Sequence, residues 1–435
     1  MYADVIVDIS HESVDRAFEY IIPDEMLPLI KRGSQVNIPF GKGDHIRKGF
    51  VINIKETAVW DPLKLKKIDS IVENSTTLES VMIELADHIR TGCGGTMSQA
   101  LKTVLPVKKK SAPVTEKFIC LTSSEDETRA ALEKFTRDRR SVAKRRLLKE
   151  LADEKILPYS IVKDRLNIPD TTVKALIREG LINVDSRTSL RDAFNISVRQ
   201  GYNIVLNDPQ QAICDDITKR IAAGDMRPSL IRGVTGSGKT EVYIELIDRQ
   251  IRLGRQAVVL IPEIALTYQT VLRFYKKFGN RISVINSKLT AAQRHDQIEK
   301  ARTGQADIII GPRSALFSPF KNLGIIIIDE EHEGTYKNEN VPRYDARYVA
   351  VKRAELQGAV VVMGSATPSV ESYYLAEKGI YQLYTLEKRA AGRELPQVEI
   401  VDLRDELKQG NRSMVSQRLK DLIADRLGRG EKIML

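Results

Sequence analysis

The sequence predicts a multidomain α+β and α/β chain: a small β-rich N-terminal domain, a helical middle segment closing on a strand, and a doubly wound parallel α/β lobe. Three observations predict it. Residues 1–105 hold short strand-like segments separated by turn residues. From about Leu206, short and often continuous apolar runs alternate with helical stretches, the pattern of strands buried on both faces. At roughly 100–200 residues per domain, 435 residues leave room for about three domains.

In the first domain the strand segments are Ala3–Ile9, Phe18–Ile22, Gln35–Pro39 and Gly49–Ile54, punctuated at Gly33-Ser34 and at residues 40–44. A small barrel or sandwich follows from that spacing. Leu78–Arg90 reads as a helix with Val81, Leu85 and His88 or Ile89 on one side. Residues 106–116 form a linker, rich in proline and lysine. A basic helix over Thr128–Ala152 carries Lys134, Arg137, Arg139, Arg140, Lys144, Arg145, Arg146 and Lys149. A solvated helix face explains such a run; so does a nucleic-acid backbone, whose counterions it would release. A short helix around Ser160–Leu166 and a turn at Asn167–Pro169 come next. Asp170 then caps a helix through Glu179, Gly180 ends it, and Leu181–Val184 is a strand. Over 117–190 this reads as a winged-helix DNA-binding domain, with a protein-interaction domain as the bland alternative. The lobe over 200–392 has strands at Ser229–Arg232, Ala257–Ile261, Arg281–Ile285, Asp307–Ile310, Gly324–Ile328 and Ala359–Met363. Helices separate them, for example at Glu241–Leu253 and Thr290–Arg302.

The chain is 42% hydrophobic and 29% charged, enough to bury a core. Lys and Arg number 68 against 58 Asp and Glu, a formal charge of +10 that suits a polyanionic partner. The first 110 residues are close to neutral, so the excess lies beyond them. No apolar run approaches the roughly 18 residues of a membrane span. Residues 1–10 alternate and carry Asp4 and Asp8, as a strand does and a signal peptide does not. The three cysteines, Cys93, Cys120 and Cys214, make neither a disulfide framework nor a four-ligand zinc site. The expectation is a reducing, intracellular setting with no membrane partner.

Residues Gly233-Val234-Thr235-Gly236-Ser237-Gly238-Lys239-Thr240 fit the phosphate-loop spacing between a strand and a helix. The glycines let backbone N–H groups converge on phosphate oxygens. Lys239 would reach the outer phosphates and Thr240 would ligate Mg²⁺. Four isoleucines, Ile325–Ile328, then deliver Asp329-Glu330-Glu331-His332 to a strand tip. Acids at a strand end are common and mean little alone. Paired with the loop, Asp329 is placed to hold Mg²⁺ and Glu330 to deprotonate an attacking water. His332 has no second ligand at metal spacing and reads as a coupling residue. Gly364-Ser365-Ala366-Thr367-Pro368-Ser369 follows another apolar strand; Ser365 and Thr367 can relay nucleotide state.

Gln210, the phosphate loop, Pro262-Glu263-Ile264-Ala265-Leu266-Thr267, Gly311-Pro312-Arg313-Ser314-Ala315-Leu316-Phe317, the acidic box and the hydroxyl-rich loop stand in the order of superfamily 2 helicase motifs. Gly-Val-Thr-Gly-Ser-Gly-Lys-Thr-Glu-Val-Tyr, Pro-Glu-Ile-Ala-Leu-Thr, and Asp-Glu-Glu-His with Tyr336-Lys337 resemble the PriA family of bacterial primosomal replication-restart helicases. So do Phe18-Glu19-Tyr20 and residues 36–41, which resemble its 3′-end DNA-binding domain. The resemblance implies a RecA-like motor lobe with ATP and Mg²⁺ as cofactors, and Gln210 reading adenine. It implies DNA contacts from Phe18, Glu19, Tyr20, Thr267, Arg313, Ser314, Tyr336, Lys337 and Arg343. The loop holding Tyr336, Lys337, Arg343 and Tyr344 would couple DNA binding to hydrolysis. Forked and single-stranded DNA, single-stranded-DNA-binding protein and helicase-loading proteins are the implied partners, in a bacterial cytoplasm at the nucleoid. Glu19 stands where the family more often has Asp, His88-Ile89 where a Tyr pair is usual, and Asp345 where His is common.

Such proteins continue into a second motor lobe, a zinc-binding cysteine insertion and a C-terminal domain. Residues 393–435 read as the start of that second lobe, with Lys432–Leu435 in its first strand. The expectation is an N-terminal portion with weak nucleotide binding, retained fork binding and little turnover. Rival readings are a double-strand translocase that does not unwind and a fork-binding recruitment scaffold.

Overall fold

The computed structural model describes residues 1–435 apart from 74, 76, 106–113, 139, 140, 160, 161, 164, 165, 167, 190–204 and 390–396. Most of the expected linker, Arg139 and Arg140 of the basic run, and much of the expected helix at 160–166 lie outside the described residues. The chain divides into two compact units, Met1–Lys388 and Arg389–Leu435.

The first unit opens with β1 (Tyr2–Val7), β2 (Ala17–Ile21), β3 (Gln35–Phe40), β4 (His45–Lys55) and β5 (Ser70–Ile71), an antiparallel sheet in the order β2-β1-β4-β3-β5. Alternation decides its faces. Ala3, Val5 and Val7 join Val36, Ile38 and Val51 in one core. Ile6 and Phe50 point the other way, onto α1 (Ser80–Cys93) and α2 (Met97–Val104). The sheet curls shut. Ile21 N donates to Lys66 O at 2.9 Å, and Ile68 N donates to Ile21 O at 3.0 Å, so the β2 edge meets the segment leading into β5. A barrel is therefore the outcome. Strand β4 is longer than expected because it serves two partners, β3 along its first half and β1 along its second. Gly49 sits where they cross; a Cβ there would lie 2.5 Å from Val5 Cγ1.

Next come β6 (Val114–Leu121), α3 (Glu125–Arg137), α4 (Val142–Glu154), β7 (Ile156–Pro158), α5 (Asp170–Arg178) and β8 (Ile182–Ser189), with a three-stranded sheet ordered β7-β6-β8. The single basic helix expected over 128–152 is two helices. Asp138 leaves helical geometry at φ −96° and ψ 106°, and Ser141 Oγ donates to Asp138 Oδ2 at 2.7 Å. Packing explains the break. Phe135 shares a core with Leu147, Leu148 and Leu151, which one straight helix of about 37 Å would keep apart. Asp170 is the first helical residue and not the cap, which is Pro169; its carboxylate accepts from Tyr159 OH at 3.0 Å. Gly180 takes the left-handed conformation past the helix end, φ 71°.

The α/β lobe runs α6 (Asp208–Ala222), β9 (Ser229–Gly233), α7 (Lys239–Arg252), β10 (Gln256–Leu260), α8 (Tyr268–Phe278), β11 (Ile282–Val284), α9 (Ala291–Thr303), β12 (Ile308–Gly311), β13 (Leu323–Asp329), α10 (Ala346–Gln357), β14 (Val360–Ser365), α11 (Val370–Glu377) and β15 (Gln382–Leu386). Its seven strands are parallel, ordered β11-β12-β10-β13-β14-β9-β15. Central β13 explains the isoleucine run: Ile326 and Ile328 enter one core, Ile325 and Ile327 the other. The first of these cores continues into the N-terminal domain. Leu85 and Ile89 of α1 belong to the same cluster as Val349 and Ala350 of α10, and the His88 and Tyr348 rings stack at 4.3 Å.

Arg353 of α10 is wholly buried, and burial pulls its guanidinium down to about 10. It donates to the carbonyls of Leu316 and Ser318, the latter at 2.6 Å, and to Gln357 Oε1 at 2.9 Å. The turn holding Arg313–Phe317 is thereby tied to α10. Arg353→Met should lower unfolding stability by about 3 kcal/mol, since buried carbonyls lose their donors; urea titration checks it, and an unchanged midpoint contradicts it.

The second unit, taken by itself, holds α12 (Leu403–Lys408) and α13 (Gln417–Gly428). Glu406 accepts from Gln417 N at 2.8 Å, which joins the two. The strand expected over Lys432–Leu435 does not form; among the described residues of this unit there is no strand for it to pair with.

Candidate functional site

The parallel sheet sets five of the motifs in a row along its carboxyl edge. In spatial order these are the turn after β12 with Arg313, the turn after β10 with Thr267, the acidic tip of β13, the hydroxyl-rich loop after β14 and the phosphate loop after β9.

The phosphate loop needs glycine where its backbone is left-handed, at Gly236 (φ 80°) and at Gly238 (φ 85°), which caps α7. Gly238 is also crowded: a Cβ would fall 2.1 Å from Gln210 Nε2. Gln210 lies beneath the loop, donating from Nε2 to Ser237 O at 2.9 Å and accepting at Oε1 from Asn207 N at 2.9 Å. It supports the loop's shape directly, with its oxygen engaged by the helix cap. Lys239 is 8% exposed, and its ammonium donates to Gly233 O at 2.7 Å. Thr240 stands in the first turn of α7, half-buried.

At the strand tip, Asp329 Oδ1 accepts from Tyr243 OH at 3.2 Å. Burial, and then the charge of Glu330, push the Asp329 carboxyl up to about 6, against the opposing pull of Tyr243 and Lys239. A half-buried carboxylate with a raised proton affinity, with the Thr240 hydroxyl available in the first turn of α7, fits an oxygen-seeking divalent cation. Among the described residues no group of three or more His, Cys, Asp and Glu side chains assembles a metal cage; Mg²⁺ sites that share phosphate oxygens need none. The sign of the pH effect follows. A raised carboxyl costs stability at neutral pH, and the cost is relieved as pH falls through 6 toward the ordinary 3.8. The same proton competes with the cation. Mg²⁺-dependent nucleotide affinity should fall about tenfold between pH 7 and pH 5, relative to an Asp329→Asn baseline. Calorimetry at both pH values checks this; parallel profiles for the two proteins contradict it.

Glu330 adopts φ 44°, left-handed for a residue with a side chain, and such strain persists only where its surroundings enforce it. Its Oε2 lies 3.5 Å from His332 Nδ1. His332 Nδ1 is 2.6 Å from Ser365 Oγ, and that oxygen accepts from Thr367 N at 3.0 Å. The acidic box and the hydroxyl-rich loop are thus in direct contact through His332, Ser365 and Thr367.

A second, buried link has no signal in the local sequence. Glu331 is wholly buried and accepts from Ser369 N at 2.6 Å, Ser369 Oγ at 3.1 Å, Ser372 Oγ at 2.9 Å and Arg347 at 3.3 Å. Arg347 in turn grips Asp345, at 2.6 Å from its Nη2, and holds that carboxyl below its usual range despite burial. One carboxylate therefore joins β13, the N-terminus of α11 and that of α10.

Two residues of the α/β lobe expected on the DNA surface are otherwise engaged. Tyr336 is buried, its hydroxyl aimed at Asp329 O (2.6 Å) and Leu260 O (3.0 Å), where it braces two strand ends. Arg313 donates to Thr335 O at 2.9 Å, Lys337 O at 2.7 Å and Asn338 Oδ1 at 2.9 Å, so its guanidinium shapes the loop after the acidic box. Thr267, Lys337 and Arg343 are exposed and Ser314 is half-buried.

In the barrel, Phe18 and Tyr20 line a pocket of about 460 Å³ with Phe40, Trp60, Lys64 and Lys66. The Phe18 and Phe40 rings meet edge to face at 5.1 Å, with the Arg16 guanidinium 5.1 Å above Phe18. Tyr20 OH donates to Pro39 O at 3.1 Å, and burial pushes its phenol up to about 12. Glu19 does not face this space freely. Its carboxylate accepts from Val59 N at 3.0 Å and Trp60 N at 3.0 Å and pairs with Lys55 at 2.9 Å. Burial pushes the carboxyl up, but those amides and Lys55 outweigh it and hold the group below its usual range. Glu19 thus fixes the loop that presents Trp60, 71% exposed at the rim. The sequence carries a signal for Trp60: it is the only tryptophan in the chain, close to a proline and lysines.

Residues 4–106 match the model of the 3′DNA-binding domain (3′BD), and residues 207–375 that of the DEAD/DEAH box helicase. The chain is 31% identical over 499 residues to the replication restart protein PriA of Bacillus subtilis, covering all of this chain and 62% of that one. It is likewise 31% identical to that of Chlamydia trachomatis, over all of this chain and 58% of the relative. To that of Rickettsia felis it is 42% identical over 209 residues, 48% of this chain and 32% of the relative.

Proposed function

From its likeness to the replication restart protein PriA relatives, of whose curated sequences it spans about three fifths, we propose that the chain binds DNA ends and nucleotide as an ATP-dependent 3′→5′ DNA helicase. Its substrate is the forked replication intermediate, and its task is to begin primosome assembly for replication restart. The observation that carries this reading is the placement of phosphate loop, acidic tip and exposed Thr267, Lys337 and Arg343 along one sheet edge. Residue by residue, the site supports the following division of labour. Backbone amides of residues 233–238 and the Lys239 ammonium take the phosphate charge, with Lys239 exchanging its bond to Gly233 O for one to phosphate. Mg²⁺, held by Thr240 and Asp329, would supply charge neutralisation at the outer phosphates. Glu330, turned out of the strand by its left-handed backbone, accepts the proton of the attacking water. His332, Ser365 and Thr367 carry the change to neighbouring strand tips.

The barrel pocket supports recognition of a 3′-terminal nucleotide: aromatic faces for a base and Arg16, Lys64 and Lys66 for its phosphate. Single-stranded-DNA-binding protein and helicase loaders are the partners this role requires, in a bacterial cytoplasm. Among the described residues no helix is long and apolar enough to cross a membrane.

The test is fluorescence anisotropy with a 3′-recessed fork. Trp60→Ala should weaken binding by about 1–3 kcal/mol, the worth of one stacked base, and a 3′-phosphate should weaken it in the parent chain. Equal affinity for blocked and free 3′ ends, unaffected by Trp60→Ala, contradicts the reading.

A further inference from the structure

We propose that Tyr243 is a positioning residue for the Asp329 carboxylate, and that residue 364 is glycine because the Tyr243 hydroxyl occupies the space a side chain there would need. The inference rests on the loop and strand tip being a Mg²⁺-nucleotide site.

Tyr243 lies in α7, four residues after Lys239 and so on the same helix face. It is 1% exposed, yet its hydroxyl finds a partner in Asp329 Oδ1 at 3.2 Å. A buried phenol needs such a partner. Burial first, and then the charge of Asp329, push it well above the ordinary range, so it stays a proton donor. Gly364 is paired in register with Asp329, and its carbonyl accepts from Glu331 N at 3.0 Å. A Cβ on Gly364 would fall 1.7 Å from the Tyr243 hydroxyl oxygen and 2.9 Å from its Cζ. The backbone of Gly364 is not left-handed, so conformation does not demand glycine here; the close approach of the hydroxyl does.

Three elements thus meet at one oxygen: the helix that leaves the phosphate loop, the acidic tip and the hydroxyl-rich loop. The bond restricts rotation of the Asp329 carboxylate and fixes which oxygen is engaged inward. Outer partners of this kind orient metal-holding carboxylates, and their loss typically costs 10–100-fold in metal affinity. Gln210 and Lys239 serve the loop itself; Tyr243 serves the acid that faces it.

The experiment titrates the 435-residue chain with a non-hydrolysable ATP analogue, in Mg²⁺ and in EDTA, alongside thermal melting. In Tyr243→Phe the ratio of the two affinities should fall about tenfold, with EDTA affinity and melting temperature close to the parent. A merely structural tyrosine would shift the melt or lower both affinities together, and that result overturns the proposal. So does a parental ratio in Tyr243→Phe. Should that variant melt below the assay temperature, Gly364→Ala decides by the same ratio, because its methyl forces the hydroxyl off Asp329. Absence of nucleotide binding by the parent chain in either buffer removes the underlying reading, a result distinct from a parental ratio.

Discussion

Lys239→Ala should weaken Mg²⁺-nucleotide binding by about 10- to 100-fold, the worth of a charged hydrogen bond at roughly 1.5–3 kcal/mol. The ammonium is almost buried and already within the loop, on Gly233 O, so little reorganisation precedes its transfer to a phosphate. Removing it leaves the buried Gly233 carbonyl without its donor, a cost of about 1–3 kcal/mol to stability. Nucleotide affinity should therefore drop, with a modest fall in melting temperature. DNA-end affinity should not change, because the barrel pocket lies in the N-terminal domain. A fluorescent-nucleotide titration reads the first effect and anisotropy with forked DNA the second. Equal loss of both would mean that the two sites are not separable in the way their geometry implies.

Glu331→Ala should be among the most destabilising single changes in the lobe, at about 3–5 kcal/mol, because it strips a buried acceptor from a charged donor and three neutral ones. Arg347 keeps Asp345, which limits the damage on that side. Ser369 N, Ser369 Oγ and Ser372 Oγ lose their acceptor outright. Glu331→Gln retains one carbonyl oxygen and should cost less. Chemical denaturation of both variants checks the order; a Glu331→Ala chain as stable as its parent contradicts the buried link through Glu331.

These sites differ in how far the sequence discloses them. The phosphate loop and the acidic strand tip are local: fixed spacing of Gly236, Gly238 and Lys239, and four isoleucines ending in Asp329, need no tertiary knowledge. The parallel sheet was legible for the same reason, except β15. That edge strand is half-exposed and has no long apolar run. The break between α3 and α4 was hidden because a charge-rich stretch with no proline or glycine carries no stop signal; the shared core of Phe135 and Leu147 decides it. Glu19, Arg313 and Tyr336 look like surface contacts in a linear reading. Their partners lie 36–41, 22–25 and 7–76 residues away in sequence, and only the fold reveals that they hold loops and strand ends. Glu331 and Tyr243 were missed for the complementary reason: each looks like a motif bystander until α11, α10 and β14 are folded around it.

A glycine-lined turn and an acidic strand tip are proposed to grip a nucleoside triphosphate together. Isothermal calorimetry of the chain with a non-hydrolysable ATP analogue tests it most directly. One equivalent bound, tighter with Mg²⁺ than with EDTA and weakened in Lys239→Ala, is the predicted result. No heat of binding, or binding indifferent to both the metal and the lysine, would contradict it.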